Sequence, residues 1–418
     1  MVKRWMVAGT MAVSAMLSAA PAQSQGLGQA ISNALSNNCL VLGNPAGGVA
    51  NNPFFGPQLN NLCNPPAGGG GGGAGATGGA SASTGSFSVE NRLTGTDEER
   101  RILQRLKERR DEERKGGPAG ASADLPGALR GLSVFVAGDF QSFDKEATSF
   151  EPGYDRETWG GTVGVDYALT GLGILGVAFT YNHATGWFDI GGGGFNIDTY
   201  GPTLYGTLFP MKNLFLDGYI GYSWKDYDSD RRINLNIPQL AGGAVVATGA
   251  ALGKTDGDEF KAGANLGYDF LIRNLTIGPR VGVNYRETTI NGFTERGATG
   301  TELVFLRQHH TSLTSVLGLY SSLAISTGVG VVIPQVTGEY LHEFENDHKS
   351  FGFRFAQDAR GVVLRYKLDP PDRDYFNVGA GVALVLPNGL APFANFRELL
   401  GYKHQTNHTV TAGVRFAF

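Results

Sequence analysis

The last stretch of the chain, residues 406–418, constrains the fold more than any other. It reads TNHTVTAGVRFAF. From residue 409 on, one parity carries Val410, Ala412, Val414, Phe416 and Phe418, and the other carries Thr409, Thr411, Gly413 and Arg415. A period of two with one wholly apolar face predicts a β-strand whose faces meet different solvents. In water such a strand would expose an apolar face and unpaired backbone groups, whereas a closed barrel in a bilayer satisfies both.

Composition narrows the choice of fold further. The 418 residues include 63 glycines, 41% are hydrophobic, and the net charge is only −4. These values argue against a nucleic-acid-binding surface and against general disorder. After the first twenty or so residues, no apolar run approaches the ~20 residues that a membrane-spanning helix needs. A membrane protein of this sequence is therefore expected to be a β-barrel.

The first residues predict export. Residues 1–22 resemble a secretory signal peptide, because Lys3 and Arg4 precede an apolar stretch that ends in the cleavage-type sequence Ala-Pro-Ala at 20–22. The alternative is a retained membrane anchor. The apolar stretch is short and rich in alanine and serine, which disfavours the anchor.

A small head and a linker follow the signal. The head, 23–66, contains the only two cysteines, Cys39 and Cys63, and in an oxidising compartment we expect them to form a disulfide. The Cys and His spacings of a metal site are absent from it. Residues 67–95 are rich in Gly, Ala, Ser and Thr and predict a flexible tether.

Residues 96–115, TDEERRILQRLKERRDEERK, predict a charged helix. Thr96 and Glu99 form a capping box, and Gly-Gly-Pro at 116–118 would end the helix at the start of a connector that spans 116–130. The helix has few apolar residues, so we expect no core-facing stripe on it. It is either a solvated helix, a coiled-coil fragment or a helix in a polar pore, where we expect Thr96, Glu99, Arg101, Arg105 and Arg109 to face the lumen.

From residue 131 onward the chain predicts an all-β barrel of twelve antiparallel transmembrane strands, with the helix in its lumen and the low-complexity head before it. The expected strands are 131–142, 156–169, 172–186, 194–209, 213–229, 256–272, 275–290, 303–324, 327–345, 373–386, 389–402 and 405–418. The expected long loops are 143–155, 187–193, 230–255, 291–302 and 346–372. Short turns on one rim and long loops on the other are typical of outer-membrane barrels.

The two faces of these strands indicate which solvent each one meets. One face carries large aromatic residues near strand ends, as an interfacial belt does, and the other carries charge and glycine. A soluble all-β barrel or propeller would reverse this arrangement. The side chains expected to face the lumen are Asp217, Lys225, Lys261, Asp269, Arg280 and Arg286.

Taken together, the export signal, head, tether, charged helix and barrel resemble the autotransporter (type V secretion) family. The sequence IPQVTGEYLHEFE within 327–345 is similar to that family's penultimate barrel block, and 374–418 is similar to its closing strands. The resemblance covers roughly 95–418. It implies an outer-membrane translocator, displaying its own head at the surface of a Gram-negative cell. It also implies transient partners, the periplasmic chaperones and the barrel-assembly machinery, which would read Val414, Phe416 and Phe418 as an assembly signal.

Two other functions compete with export. One is a helix-plugged pore or a structural surface barrel, in which removal of 96–115 would open the lumen. The other is a barrel enzyme, since the seven histidines fall near the long-loop rim: His183, His309, His310, His342, His348, His404 and His408. Three of them, His183, His342 and His408, share the parity of the outward residues, which favours a polar belt at the lipid interface over a catalytic or metal site. We predict no catalytic residue, no metal, no cofactor and no nucleic-acid partner, but a monomeric barrel surrounded by outer-membrane lipid.

Overall fold

The computed structural model describes the helix and most of the barrel. The described residues are 99, 101–107, 109–110, 131–148, 151, 153–169, 171–189, 193–238, 244–297, 301–346, 350–358 and 361–417. The predicted signal peptide, the disulfide between Cys39 and Cys63, the cap residue Thr96 and the final Phe418 lie outside them. Helix α1 includes residues 99, 101–107 and 109–110. Within the described part of the chain, no helix combines the length and apolar character needed to cross a membrane.

In the described residues, eighteen strands follow the helix. They are β1 Leu132–Lys145, β2 Tyr154–Leu169, β3 Gly173–Phe188, β4 Gly193–Met211, β5 Leu214–Pro238, β6 Ala244–Tyr268, β7 Phe270–Ile272, β8 Leu275–Ile290, β9 Phe293–Thr294, β10 Leu303–Phe305, β11 Gln308–Leu323, β12 Ile325–Ser326, β13 Val331–Glu343, β14 Ser350–Phe355, β15 Leu364–Lys367, β16 Asp374–Val385, β17 Leu390–Leu400 and β18 Gln405–Ala417.

One antiparallel sheet closes on itself to form the barrel. Successive barrel strands pair with each other, and β18 returns to pair with β1. Two of these pairs span excursions of the chain: β8 pairs with β11 across β9 and β10, and β13 pairs with β16 across β14 and β15. The three-residue β7 continues β6 after Asp269, and the two-residue β12 extends β11. The remaining strands of this sheet are the twelve that the sequence predicts, namely β1–β6, β8, β11, β13, β16, β17 and β18.

The side chains alternate as predicted, with apolar residues on the outer face of the barrel and polar residues inside. Along β2, Trp159 and Val163 are exposed on the outer face, while Thr158, Thr162 and Asp166 are buried inside. In β18, Val410 and Val414 point outward and Arg415 points inward. A barrel that is apolar outside and polar inside is built for lipid, because the outer face would otherwise present its apolar residues to water.

One predicted loop is wrong, because strands occupy most of its length. The sequence predicts a loop over 230–255, but β5 and β6 continue through it and pair as far as Pro238 and Ala244. Its charged start and glycine-rich middle hide the period of two. The predicted strand 303–324 is two strands, β10 and β11, and only β11 belongs to the barrel.

A second, four-stranded sheet stands at the long-loop rim, in the order β15-β14-β10-β9. It is made from the predicted loops 291–302 and 346–372 together with residues 303–305. We refer to this sheet as the cap. Its short strands contain no long alternating pattern, so only the density of phenylalanine in FGFRF at 351–355 signals a core there.

An inward glycine on β3 makes room for an aromatic ring of the lumen. Gly176 lies opposite Tyr205, and a Cβ on Gly176 would come within 2.5 Å of the Tyr205 ring. Because the ring is buried, it cannot swing away, and overpacking of this kind typically costs ~1–3 kcal/mol.

We therefore expect Gly176→Val to lower the yield of folded barrel, measured as the heat-modifiable band in outer-membrane fractions. Gly338→Val is the matched control, because a Cβ on Gly338 would have no neighbour within 4 Å. Equal yields from the two variants would contradict the expectation.

Candidate functional site: the lumen and its helix

Helix α1 lies inside the barrel and has a small apolar side. Ile102, Leu103 and Leu106 are buried in one cluster with inward-facing wall residues that include Phe135, Tyr205 and Tyr219. The expectation that the helix has no core-facing stripe is therefore wrong. Three apolar residues are enough here because aromatic rings of the lumen supply the other half of the contact.

The strongest electrostatic contact of α1 is a carboxylate shared by two arginines. Asp166 of β2 lies 2.7 Å from Arg105 Nε and 2.8 Å from Arg109 Nε, and all three side chains are almost completely buried. Arg105 also donates to the Ser133 hydroxyl, and Arg109 donates to the Gly131 carbonyl. A buried carboxylate held by two guanidinium groups fixes the helix in register with β1 and β2.

Other cations of α1 bind different strands. Arg110 donates to both oxygens of Asp217 on β5, at 2.5 and 2.6 Å, while its guanidinium lies 3.6 Å from the centre of the Phe215 ring. Arg101 forms an ion pair with Asp139 of β1. On the far side, Lys107 donates to Gln335 of β13 at 2.8 Å. The helix is therefore bound by strands from several sides of the lumen.

The contact made by Glu99 shows in which direction α1 runs along the barrel. Glu99 accepts from Arg286 of β8 at 2.6 Å, and Arg286 is four residues from the end of β8 at the long-loop rim. At the other end of α1, Arg109 contacts Gly131, next to the short-turn rim where β1 begins. The helix therefore runs from the middle of the lumen toward the short-turn rim, and its N-terminal end points to the cap.

The residues predicted to face the lumen have their side chains inside the barrel. Asp217 and Arg286 contact α1, as described above. Wall residues accompany the others: Lys225 pairs with Glu259, Lys261 donates to Ser223, Tyr320 donates to Asp269, and Arg280 pairs with Glu339. Sequence reasoning missed Asp139 and Asp166, although their parity in β1 and β2 places them with the inward residues.

The helix leaves a small space in the lumen. A cavity of about 40 Å³ lies between α1 and the strands from β8 to β17, lined by residues that include Lys107, Arg280 and Glu339. Polar and charged groups surround it, so this side of the lumen suits water rather than an apolar ligand.

Of the described histidines, His310 is buried, and the others are partly or fully exposed on the outer face or at the rim. His183 is 2.8 Å from Asp198, and His342 is 2.7 Å from Asp374, each pair joining adjacent strands. His404 contacts Glu146 at 3.2 Å near the rim. In the described part of the chain, no three His, Cys, Asp or Glu residues are grouped closely enough to hold a metal ion.

A buried charge cluster holds two loops together at the long-loop rim. Lys145 Nζ lies 2.8 Å from Asp369 and 3.7 Å from Glu151, and the Thr148 hydroxyl also donates to Asp369. Burial, aided by the Asp369 charge and opposed by Lys145, raises the pKa of Glu151 to about 8. Burial alone would raise the pKa of Asp369, but Lys145 and its hydrogen bonds lower it.

This cluster predicts a pH dependence. Because the pKa of Glu151 in the folded loops is above its ordinary value of 4.5, the bound proton stabilises the folded loops, fully so below pH 4.5. This stabilisation is lost as the pH rises through about 8. Glu151→Gln stays neutral, so we expect its thermal midpoint to rise relative to wild type between pH 6 and pH 9. Glu146→Gln, at an exposed site, should track the wild type. A constant difference between Glu151→Gln and wild type across that range would refute the assignment.

Comparisons with known proteins agree with this geometry. The family model described as autotransporter beta-domain matches residues 134–397. Outer membrane protein A of Rickettsia rickettsii is 23% identical over 242 residues, which are 55% of this chain and 10% of that protein. The corresponding protein of Rickettsia conorii is also 23% identical, over 55% of this chain and 11% of its own length. The chain thus spans about a tenth of these relatives.

A solved structure shows the same fold. The translocator domain of the autotransporter NalP from Neisseria meningitidis superimposes with a TM-score of 0.57 at 16% identity, covering 79% of this chain and 99% of that one. At this identity the likeness concerns the fold alone. The family match covers more than half of the chain and lies within the closed barrel. This chain therefore belongs to the autotransporter family and carries its outer-membrane β-domain.

Proposed function

We propose that this barrel translocates and displays its own N-terminal segment, residues 23–95, at the cell surface. The observation that carries the proposal is the position of α1. The helix lies inside the barrel of the same chain, and its N-terminal end points to the long-loop rim, which is the extracellular side of an outer-membrane barrel. A chain held in this direction has its preceding residues on the outward side.

The ion pairs support retention of the helix after export. Asp139, Asp166 and Asp217 are buried carboxylates of the wall, and each is paired with an arginine of α1. Without the helix these charges would lie uncompensated in a narrow lumen, which is strongly unfavourable. The finished barrel is therefore most stable with its own segment inside, and the head stays attached by the tether.

The alternative of a helix-plugged pore without export shares the same lumen. The two functions differ in where the head lies, since a helix that only plugs the pore does not require residues 23–95 to reach the cell surface. We propose that the protein is not an enzyme, because the inward charged groups described above pair with α1 and with one another. A catalytic role would need polar groups directed at a substrate instead.

The location of the head separates these functions. A protease site is inserted between Gly73 and Ala74 in the tether, and intact cells are treated with the protease. We expect release of the head from intact cells, with a periplasmic marker protein left uncut. If the head is cut only after the outer membrane is permeabilised, the export proposal is wrong.

A control variant guards against failure of folding. The same protease site in the turn Pro387–Gly389, on the short-turn rim, should be protected in intact cells and cut after permeabilisation. Both proteins should show the same heat-modifiable mobility, so that a difference in cleavage reports location only.

A further inference from the structure

The cap shares one apolar core with the barrel. Phe305 of β10 stacks on Phe293 at 4.7 Å between ring centroids and contacts Phe351 and Phe353 of β14 at 6.1 and 6.2 Å. The same cluster contains inward-facing residues from eleven of the twelve barrel strands, all but β18: Phe143, Tyr154, Ala184, Phe188, Phe195, Ile197, Tyr227, Ala251, Ile290, Val316, Leu341, Tyr375 and Leu399. Because these residues come from nearly the whole circumference, the core that they form with the cap fills the mouth of the barrel.

Buried polar contacts tie the cap to the wall on one side. Arg231 of β5 donates to both oxygens of Glu295 in the β9–β10 turn, at 2.9 and 2.5 Å, and to the Thr301 carbonyl. The Leu303 amide donates to the same Glu295 carboxylate. A bidentate pair with almost no exposure to water is a specific anchor, since misplacing the cap would leave both charges buried and unpaired.

The second anchor lies four strands away from the first. Asp369 follows β15 after one residue, Leu368, which belongs to the shared core. Its carboxylate accepts from Lys145 and Thr148, which lie at and beyond the end of β1. The cap is therefore fastened to β5 on one side and to β1 on the other.

We infer that the cap is a second seal, which closes the extracellular mouth independently of α1. The two closures differ in chemistry. Arginine–carboxylate pairs hold α1 in the lumen below, whereas an aromatic core closes the mouth above. Removing α1 alone therefore leaves the mouth closed, contrary to the expectation from sequence that removal of 96–115 opens the lumen.

The seal also bears on export. If residues 23–95 pass through this lumen, as proposed above, they pass before the cap closes, because the folded core leaves the mouth filled. This consequence rests on the proposed function. The seal itself does not, and it can be tested on purified protein.

Planar-bilayer conductance of four proteins tests the seal. They are the full chain, a chain without 96–115, a chain without the cap, and a chain without both. In the cap-less proteins, Asn-Gly turns replace 291–307 and 344–372, because Ile290 already pairs with Gln308 and the Glu343 amide donates to the Arg373 carbonyl. Asp139→Asn, Asp166→Asn and Asp217→Asn accompany the helix deletion, so that the three wall carboxylates that pair with its arginines are not left as unpaired charges.

We expect the full chain and both single deletions to stay closed or nearly so. The double deletion should show conductance steps roughly tenfold larger or more than those of the other three proteins, as a water-filled barrel does. A helix deletion that conducts as much as the double deletion would overturn the inference. So would a double deletion that stays closed while it runs as a folded, heat-modifiable barrel.

A point substitution covers the case in which the shortened barrels do not assemble. Phe305→Asp puts a charge in the centre of the aromatic core without changing the length of any loop. Combined with the helix deletion it should open the pore, and alone it should not. Thr294→Asp, at an exposed position of β9, is the control that should leave the mouth closed in the helix-deleted protein. An open pore from that control, or none from Phe305→Asp, would contradict the seal.

Discussion

Replacing Asp166 by asparagine is expected to release α1 and to destabilise the barrel by ~3–5 kcal/mol, the usual cost of breaking a buried ion pair. Asp166 is 1% exposed and compensates the charges of Arg105 and Arg109 while accepting a hydrogen bond from the Tyr205 hydroxyl at 3.2 Å. Asparagine keeps the shape but removes the charge, so both guanidinium groups stay buried with too little compensation. The urea midpoint of the heat-modifiable band measures the loss.

A matched control and a rescue make this result specific. Asp228 pairs with Lys254 at 3.2 Å on the exposed surface, so Asp228→Asn should cost under ~1 kcal/mol. Adding Arg109→Gln to Asp166→Asn removes one uncompensated charge and should restore part of the stability. If Asp166→Asn behaves like Asp228→Asn, or if the second substitution lowers the midpoint further, the assigned pairing is wrong.

Phe418→Asp should nearly abolish the folded barrel in outer-membrane fractions. An acidic residue near the membrane interface costs only ~0–1 kcal/mol, which is too little to unfold a barrel. A near-complete loss would therefore point to failed recognition during assembly, as expected if the closing strand with Val414 and Phe416 is an assembly signal. Quantification of the heat-modifiable band against total protein measures it.

The control for this prediction is an apolar residue at the short-turn rim. Leu169 is exposed on the outer face at the short-turn end of β2, so Leu169→Asp carries the same lipid penalty without touching the closing strand. We expect near-normal assembly of that variant. Equal losses of folded barrel from Leu169→Asp and Phe418→Asp would mean that Phe418 acts only as a lipid-facing residue and not as an assembly signal.

The sequence predicts the barrel well because lipid imposes a period of two on every spanning strand. The alternation along β18 alone identifies the face toward lipid and the face toward the lumen. Its pairing with β1 matches these faces, as Val414 opposite Val136 shows. Prediction fails above the membrane, where strands no longer separate two solvents. There β5 and β6 continue past Arg231 through a charged start and a glycine-rich middle that hide the alternation, and the cap folds from short segments whose partners lie far apart in the sequence.

The lumen is predictable only in part. The alternation along the strands predicts that Asp217 and Arg286 point into the lumen. It does not predict which helix residue each one contacts, because that depends on how α1 is rotated and how deep it lies. The apolar contacts of α1 show the same limit. Ile102, Leu103 and Leu106 look too few for a core until Tyr205 and Tyr219 are seen to complete it.

The most direct test of the account is whether α1 lies in the lumen of its own barrel in the cell. In a chain with Cys39→Ser and Cys63→Ser, Lys107→Cys is combined with Gln335→Cys, whose side chains are in contact, or with Val336→Cys, the exposed neighbour on the outer face. Cells are treated with a short bifunctional thiol reagent, and the cross-linked band is resolved by gel mobility. With α1 in the lumen, we expect cross-linking of 107 to 335 and none to 336. No cross-link at 335, or equal cross-linking at both positions, would contradict it.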